Sequence, residues 1–373
     1  MGPYMGVQFD AYRKHVSGTK PLQFTPTLEL DIIFDALDGC EMNCPGCFVD
    51  TKNKFSTKDL ENIYHLTQEF KDQGIEANEL FLGPTDIFDA MNFDQLVDEP
   101  LFDKLIDQYA ALTFTSTMLT PYEELKRRTD KLMGMMAPYG KRFELFVVID
   151  IDKYIDNDRA YLDHFDRNLE VIKNIDVRLK KQVNIFFIAN FYPEMFDRVS
   201  INDLNMMIKR DYGSKFKINP SFARATNSKM IEKQCKMISD LLQNQVDNNT
   251  IRNVFLNMVD IYFGGDTFHA LTYTNGRLYV APFLYEFVPL TSKELEIKSQ
   301  EDGRFYMSDV FNKKEELAIL QYQHAMNLPH CSNCHFLPNC VARNHIQFMK
   351  QHDITTCVVP KPLYRTSFKA SEC

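Results

Sequence analysis

Cysteines are the residues of this chain best suited to chemistry, and seven of the nine fall into two groups. The first group, Cys40, Cys44 and Cys47, has the spacing C-x3-C-x2-C. Three thiolates on so short a segment can bind three irons of a 4Fe-4S cluster and leave the fourth iron open to another ligand. The alternatives are a zinc site completed by a distant fourth ligand, or three unrelated buried cysteines.

The second group lies near the end of the chain and has the spacing C-x2-C-x5-C-x16-C: Cys331, Cys334, Cys340 and Cys357. Four thiolates saturate either a tetrahedral zinc ion or a fully ligated iron-sulfur cluster, and the spacing alone does not separate the two. Of the remaining cysteines, Cys235 has helical spacing to apolar neighbours and is expected to be a buried thiol, and Cys373 is terminal.

The segments that must position the first group alternate between strand-like and helix-like patterns. Six runs rich in β-branched and aromatic residues are separated by amphipathic stretches; they cover 28–37, 79–82, 112–118, 143–149, 182–189 and 215–219. This alternation predicts an α/β fold of parallel βα units, and six units predict a partial (β/α)6 barrel. Ligands of such folds sit at the carboxyl ends of the strands, where Cys40 directly follows the first predicted strand.

Local signals also mark element ends and a change of organisation along the chain. Ser56 with Asp59 forms a capping box that predicts the start of the first helix, and Gly74 is placed to end it. Asn275-Gly276 predicts a hairpin over 267–274 and 277–283. We therefore expect an N-terminal extension at 1–27, the barrel at 28–228, connecting helices at 229–265 and a small α+β, Cys-rich C-terminal domain at 266–373.

Composition and charge narrow the class of protein. The net charge is −9, and Lys and Arg are scattered among acidic residues, which argues against nucleic acid as a partner. No apolar run approaches the roughly 18 residues needed to span a bilayer, and the N-terminus lacks the pattern of a signal peptide. These features predict a cytoplasmic protein with no membrane partner.

On its first cysteine motif and the six-unit alternation, the chain resembles the radical S-adenosylmethionine enzymes. The resemblance covers about residues 28–225 and implies that the amino and carboxylate groups of S-adenosylmethionine chelate the open iron of a 4Fe-4S cluster. It further implies that an electron donor such as flavodoxin or ferredoxin reduces the cluster. The reduced cluster then passes an electron to S-adenosylmethionine, which yields a 5′-deoxyadenosyl radical that abstracts a substrate hydrogen. The family usually has an aromatic residue before the third cysteine; this chain has Gly46, and we expect Phe48 to replace it.

The same resemblance implies further cofactor-binding residues. The family's Gly-Gly-Glu-Pro motif after the second strand corresponds here to Gly83-Pro84-Thr85-Asp86, so Asp86, helped by Thr85, is expected to contact the cofactor's ammonium group. The alternative is an ordinary Gly-Pro turn that caps the next helix. Four polar residues at later strand ends are expected to contact the ribose or the carboxylate of the cofactor: Ser116, Asp150, Asn190 and Arg224. Taken alone, each also fits a helix cap or a surface group.

The C-terminal cysteines, which follow a predicted hairpin, are similar to the SPASM and twitch extensions of these enzymes. The similarity implies that Cys331, Cys334, Cys340 and Cys357 hold an auxiliary 4Fe-4S cluster. In the positions of two further SPASM cysteines this chain has Asn344 and Phe283, so one auxiliary cluster is expected.

Three functions are compatible with these features. The first is radical oxidation or crosslinking in a peptide or protein, which SPASM-type members commonly perform. The second, kept as the alternative to the first, is twitch-type dehydrogenation of a small molecule such as a sugar or aminocyclitol alcohol. It is considered because only about 27 residues precede the first predicted strand, too few for a fused leader-binding domain. The third is a non-catalytic, zinc-stabilised binding protein.

Overall fold

The structure is a computed structural model, and its description covers part of the chain. The described residues are 29–40, 52–179, 183–191, 198–199, 201–213, 218–222, 269–280, 293, 295–314, 316, 327 and 332.

Strands and helices alternate along most of the described chain. The strands are β1 (Glu29–Asp35), β2 (Glu76–Asp86), β3 (Ala111–Ser116), β4 (Arg142–Ile149), β5 (Val183–Phe191), β6 (Ile218–Phe222), β7 (His269–Thr274), β8 (Arg277–Val280) and β9 (Glu296–Ile297). The α-helices are α1 (Thr57–Asp72), α2 (Phe93–Val97), α3 (Pro100–Gln108), α4 (Tyr122–Met136), α5 (Ile151–Ile155), α6 (Arg159–Leu179) and α7 (Ile201–Tyr212). No helix in these ranges is long and apolar enough to cross a membrane.

All the described strands join one sheet, in the order β6-β5-β4-β3-β2-β1-β7-β8-β9. Strands β1 to β7 pair in parallel, and β8 and β9 are antiparallel additions at one edge. The first six strands are neighbours in chain order, because each helical connection returns the chain beside the strand it has just left. The prediction of an α/β fold with a mostly parallel sheet is confirmed.

The predicted hairpin is present, and it extends the sheet. Asn275 and Gly276 both have positive φ, 49° and 75°, as the tight turn between β7 and β8 requires. Strand β7 pairs in parallel with the free edge of β1, with Leu30 opposite His269 and Asp35 opposite Thr274. The hairpin, which the sequence assigns to a C-terminal domain that starts at residue 266, therefore belongs to the same sheet as β1.

Helix α1 shows how local signals and burial agree. The backbone N–H and the hydroxyl of Ser56 both donate to the Asp59 carboxylate, at 2.6 and 2.8 Å, which confirms the predicted capping box. Four apolar residues at helical spacing pack into the core: Leu60, Ile63, Leu66 and Phe70. Gly74 follows the helix with φ of 77°, a conformation that favours glycine, so the predicted end is also confirmed.

The two faces of the sheet differ. One alternating set of strand residues is fully buried in the core, as Leu30, Ile32 and Phe34 are in β1. The opposite face is buried at β3 and β7 but mostly half-buried at β1, β2, β4 and β5, where it carries both aromatic rings and carboxylates. On it the rings of Phe81 and Phe146 lie 6.1 Å apart, and that of Phe186 lies 5.5 Å from Phe146.

Candidate functional site

The carboxyl ends of the parallel strands meet at one edge of the sheet, where the sequence predicts the chemistry. Cys40 follows β1, Asp86 ends β2 and Ser116 ends β3. Asp150 follows β4, and Asn190 is the second-last residue of β5, opposite Ser221 of β6. These residues lie at or just after the carboxyl ends of neighbouring strands, so the structure brings the described candidates to the same edge.

The segment that leads from β1 to Cys40 is attached to the turn after β2. The Asp38 N–H donates to Asn92 Oδ1 at 3.1 Å, and the Asn92 N–H donates back to Asp38 Oδ1 at 2.7 Å. Asn92 Nδ2 also donates to the Ala36 carbonyl at 2.7 Å, and the Met91 N–H donates to the Asp38 carbonyl at 2.7 Å. Four hydrogen bonds therefore hold the backbone immediately before Cys40.

Two further features shape this segment. Gly39 has φ of 95°, and a Cβ atom there would lie 3.5 Å from the Met91 side chain and 3.6 Å from the Asp89 carbonyl oxygen. Asp38 and Lys52 form an antiparallel bridge, which joins the two ends of the stretch that carries the first cysteine group. Cys40 itself is half-exposed beside this bridge.

Several predicted residues lie outside the described residues. They are Cys44, Cys47, Arg224, Cys331, Cys334, Cys340 and Cys357. The backbone of Asn190 is described, whereas its side chain is not. Within the described ranges, no group of three or more His, Cys, Asp or Glu residues is placed to hold a metal ion.

Asp86 is buried and uses both carboxylate oxygens within the fold. Oδ1 accepts from the Phe88 N–H at 2.8 Å, in the turn after β2. Oδ2 accepts from the Thr117 N–H at 2.6 Å, the Thr117 hydroxyl at 2.7 Å and the Ser116 hydroxyl at 3.2 Å. Burial raises the pKa of Asp86, and the hydrogen bonds from Thr117 and Phe88 oppose this rise. The carboxylate thus ties the end of β2 to the end of β3.

Strand β2 is longer than the sequence predicted. It extends from Glu76 to Asp86 because the pairing with β3 shifts between Leu82 and Asp86, and the Gly83-Pro84-Thr85-Asp86 segment forms this irregularity. Gly83 has φ of 155°, and a Cβ atom there would lie 3.1 Å from the Phe81 ring. Glycine therefore lets the backbone pass the aromatic ring closely.

Thr85 is the described residue of this segment with spare hydrogen-bonding capacity. Its side chain is 1% exposed, and its hydroxyl makes no hydrogen bond within the described structure. Thr120, in the loop after β3, is 2% exposed and has the same property. A buried hydroxyl without a partner is costly, so such groups mark places where a ligand, water or undescribed residue would be accepted.

Asp150 is a helix cap. Its side chain accepts from the Lys153 N–H at 3.2 Å at the start of α5, and its own N–H donates to the Tyr161 hydroxyl at 3.0 Å. The structure therefore gives Asp150 the alternative role considered in the sequence analysis. Ser116 is fully buried. Its hydroxyl donates to Asp86 and accepts from the Met118 N–H at 3.1 Å.

No protein-family model matches the chain, and no curated protein is similar enough to count as a relative.

Sequence reasoning missed three residues that organise this edge. Thr117 supplies two of the four hydrogen bonds to Asp86, and Asn92 holds the segment before Cys40. Asn168 of α6 donates to the Met118 and Thr120 carbonyls at 2.7 and 2.8 Å, which fixes the loop after β3. Only Asn92 carried a local signal, as a cap residue before Phe93, and that signal did not reveal its partners.

Proposed function

We propose that the chain is a radical S-adenosylmethionine oxidoreductase that generates a 5′-deoxyadenosyl radical for hydrogen abstraction, with a peptide or protein as substrate. The sheet supports this through its order: six parallel strands follow one another in sequence, as an open partial barrel requires. In this proposal the undescribed C-terminal cysteines hold one auxiliary 4Fe-4S cluster, and flavodoxin or ferredoxin supplies electrons in the cytoplasm.

The placement of Cys40 carries the proposal. The first cysteine of the C-x3-C-x2-C motif lies just beyond β1, at the edge where parallel α/β folds bind ligands, and beside the end of β2. Its half-exposed thiol, with those of Cys44 and Cys47, would form a donor set of the type that binds iron-sulfur clusters. A thiol is the kind of ligand that such a cluster needs, and Cys40 lies at the edge of the sheet where a ligand is expected.

The end of β2 offers an acceptor for the second cofactor. The Thr85 hydroxyl, buried and without a described partner, is an oxygen of the kind that an ammonium group requires. Asp86 has all four of its hydrogen bonds inside the protein, so its part in this proposal is to order the ends of β2 and β3. When bound, the cluster and S-adenosylmethionine would supply the reducing electron and the radical precursor.

Anaerobic reconstitution with ferrous iron and sulfide tests the proposal. The full chain is expected to bind about eight irons, because three plus four thiolates would hold two 4Fe-4S clusters. In the reduced protein, addition of S-adenosylmethionine is expected to change the electron paramagnetic resonance signal of one cluster. If the chain binds no iron under these conditions but binds zinc stoichiometrically when zinc is added, the result would support the non-catalytic binding protein instead.

A further inference from the structure

We infer that Asn92 is a positioning residue for Cys40, acting through a clasp formed by Ala36, Asp38, Met91 and Asn92. This inference rests on the proposed function, because it assigns to the clasp the task of presenting the first cluster thiolate. The role of Asn92 is to hold the backbone segment that carries the thiol.

The hydrogen bonds of Asn92 point to this role rather than to helix capping. Asn92 occupies the cap position before α2, yet its side chain makes no capping hydrogen bond. The amide instead accepts from the Asp38 N–H at 3.1 Å and donates to the Ala36 carbonyl at 2.7 Å. Asn92 is 9% exposed, and both side-chain hydrogen bonds that it makes in the described structure go to the segment before Cys40.

The turn that carries Asn92 is itself braced from two sides. Arg128 of α4 donates through Nη1 to the Phe88 and Ala90 carbonyls at 3.0 and 2.6 Å, and its guanidinium lies 5.0 Å from the centre of the Phe93 ring. Asp86 accepts from the Phe88 N–H. The turn is fixed to α4 and to the end of β2. The clasp therefore restricts the movement of the backbone that leads to Cys40.

A fixed ligand backbone matters because a metal site gains affinity when its ligands need little ordering on binding. Groups that only support ligands commonly change metal affinity by about 10- to 100-fold when they are removed. Loss of the Asn92 amide would free the 36–40 segment on one side, and the segment would then have to be ordered each time a cluster assembles. The expected defect is therefore in cluster retention.

Asn92→Ala in the full chain tests the inference, with Asn62→Ala as the matched control. Asn62 is 6% exposed and donates to the Tyr273 hydroxyl at 3.2 Å, so it is a buried asparagine of similar burial outside the clasp. Iron loss to a chelator is followed through the resonance signal that S-adenosylmethionine perturbs, so that the auxiliary cluster does not contribute. Asn92→Ala is expected to speed this loss about 10- to 100-fold relative to Asn62→Ala.

The conservative change Asp38→Asn should keep slow iron loss, because its amide oxygen still accepts from the Asn92 N–H. Equal rates of loss in Asn92→Ala and Asn62→Ala would overturn the inference while leaving the proposed function intact. A parent chain that binds no iron at this motif would instead overturn the proposed function.

Amide hydrogen exchange in the metal-free chain tests the clasp by itself. The Met91 N–H bonds to the Asp38 carbonyl, and Asn92→Ala removes neither group. If Asn92 holds the segment, exchange at Met91 should nevertheless become at least about tenfold faster in Asn92→Ala and stay unchanged in Asn62→Ala. Unchanged protection at Met91 in Asn92→Ala would contradict the clasp, whatever the iron content.

Discussion

Glu79 shows how a single carboxyl group makes stability depend on pH. It is half-buried on the face of the sheet opposite the core, and its side chain accepts a hydrogen bond from the buried Thr113. Burial raises the pKa of Glu79 from 4.5 to about 7, and the carboxylates of Asp31 and Glu144 add to the rise. Between these values the folded protein keeps a proton that the unfolded chain has released, so stability falls as the pH increases through this window.

Replacing Glu79 should remove this pH dependence. Glu79→Gln keeps an acceptor for Thr113 and cannot ionise, so the variant is expected to be more stable than the parent by about 2 kcal/mol at pH 8 and nearly equal to it at pH 4. Urea unfolding at the two pH values measures the difference. Thr113→Val is the companion variant: it removes the hydrogen bond that lowers the pKa of Glu79, so the loss of stability should continue to higher pH. A Glu79→Gln effect independent of pH would contradict this account.

Asp86 is expected to act through stability. Asp86→Ala would leave the buried N–H groups of Phe88 and Thr117 without partners, and we expect it to lower the free energy of unfolding by about 3 kcal/mol. Ser116→Ala removes the 3.2 Å bond to Asp86 and the 3.1 Å bond from the Met118 N–H, and it should cost less, about 1–2 kcal/mol. Denaturant titration measures both losses. Titration of the reconstituted Asp86→Ala protein with S-adenosylmethionine provides the check, because a 10- to 100-fold loss of affinity at unchanged stability would instead make Asp86 a direct ammonium contact.

At the scale of elements, the β7-β8 hairpin is fastened to the sheet and to α1 through Tyr273. The Tyr273 hydroxyl donates to Asp59 at 2.8 Å and accepts from Asn62 at 3.2 Å, and the ring lies 6.0 Å from that of Phe34. Tyr273→Phe keeps the packing but leaves two buried polar groups short of a partner. The expected cost is about 1–3 kcal/mol, measured by denaturant unfolding.

Tyr279 provides the control for this prediction. It is buried on the neighbouring strand β8, and its hydroxyl interacts with the exposed Arg277. Tyr279→Phe should therefore cost less than Tyr273→Phe, because Arg277 is exposed to water and keeps its ion pair with Glu296. Equal losses for the two variants would mean that the hairpin is held by packing and that the bonds to α1 contribute nothing specific.

These elements also show which features could be predicted from the sequence. The α1 cap and the Asn275-Gly276 turn depend on residues a few positions apart, so their patterns are visible locally. The pairing of β7 with β1 joins residues more than 200 positions apart and depends on which strand fits a free edge. The hydrogen bonds between Asn92 and Asp38 and between Thr117 and Asp86 also join residues far apart in the chain, so no local sequence pattern predicts them.

At the scale of the whole molecule, the order of the parallel strands follows from the βα alternation, and this order brings Cys40, Asp86 and Ser116 to one edge. The sequence could predict that convergence because parallel strands connected by helices all run in the same direction. The sequence could not predict that the Asp86 carboxylate would accept hydrogen bonds from Thr117, because these bonds depend on how the loop after β3 lies against the end of β2. The cysteine chemistry itself remains a prediction of the motif.

The most direct measurement of the central claim is 5′-deoxyadenosine production by the anaerobically reconstituted, reduced chain and by a variant with Cys40, Cys44 and Cys47 all replaced by Ala. The parent is expected to cleave S-adenosylmethionine, and the variant is expected to keep about half of the iron in its four-cysteine site but to form no 5′-deoxyadenosine. Continued 5′-deoxyadenosine production by the triple variant would contradict the account.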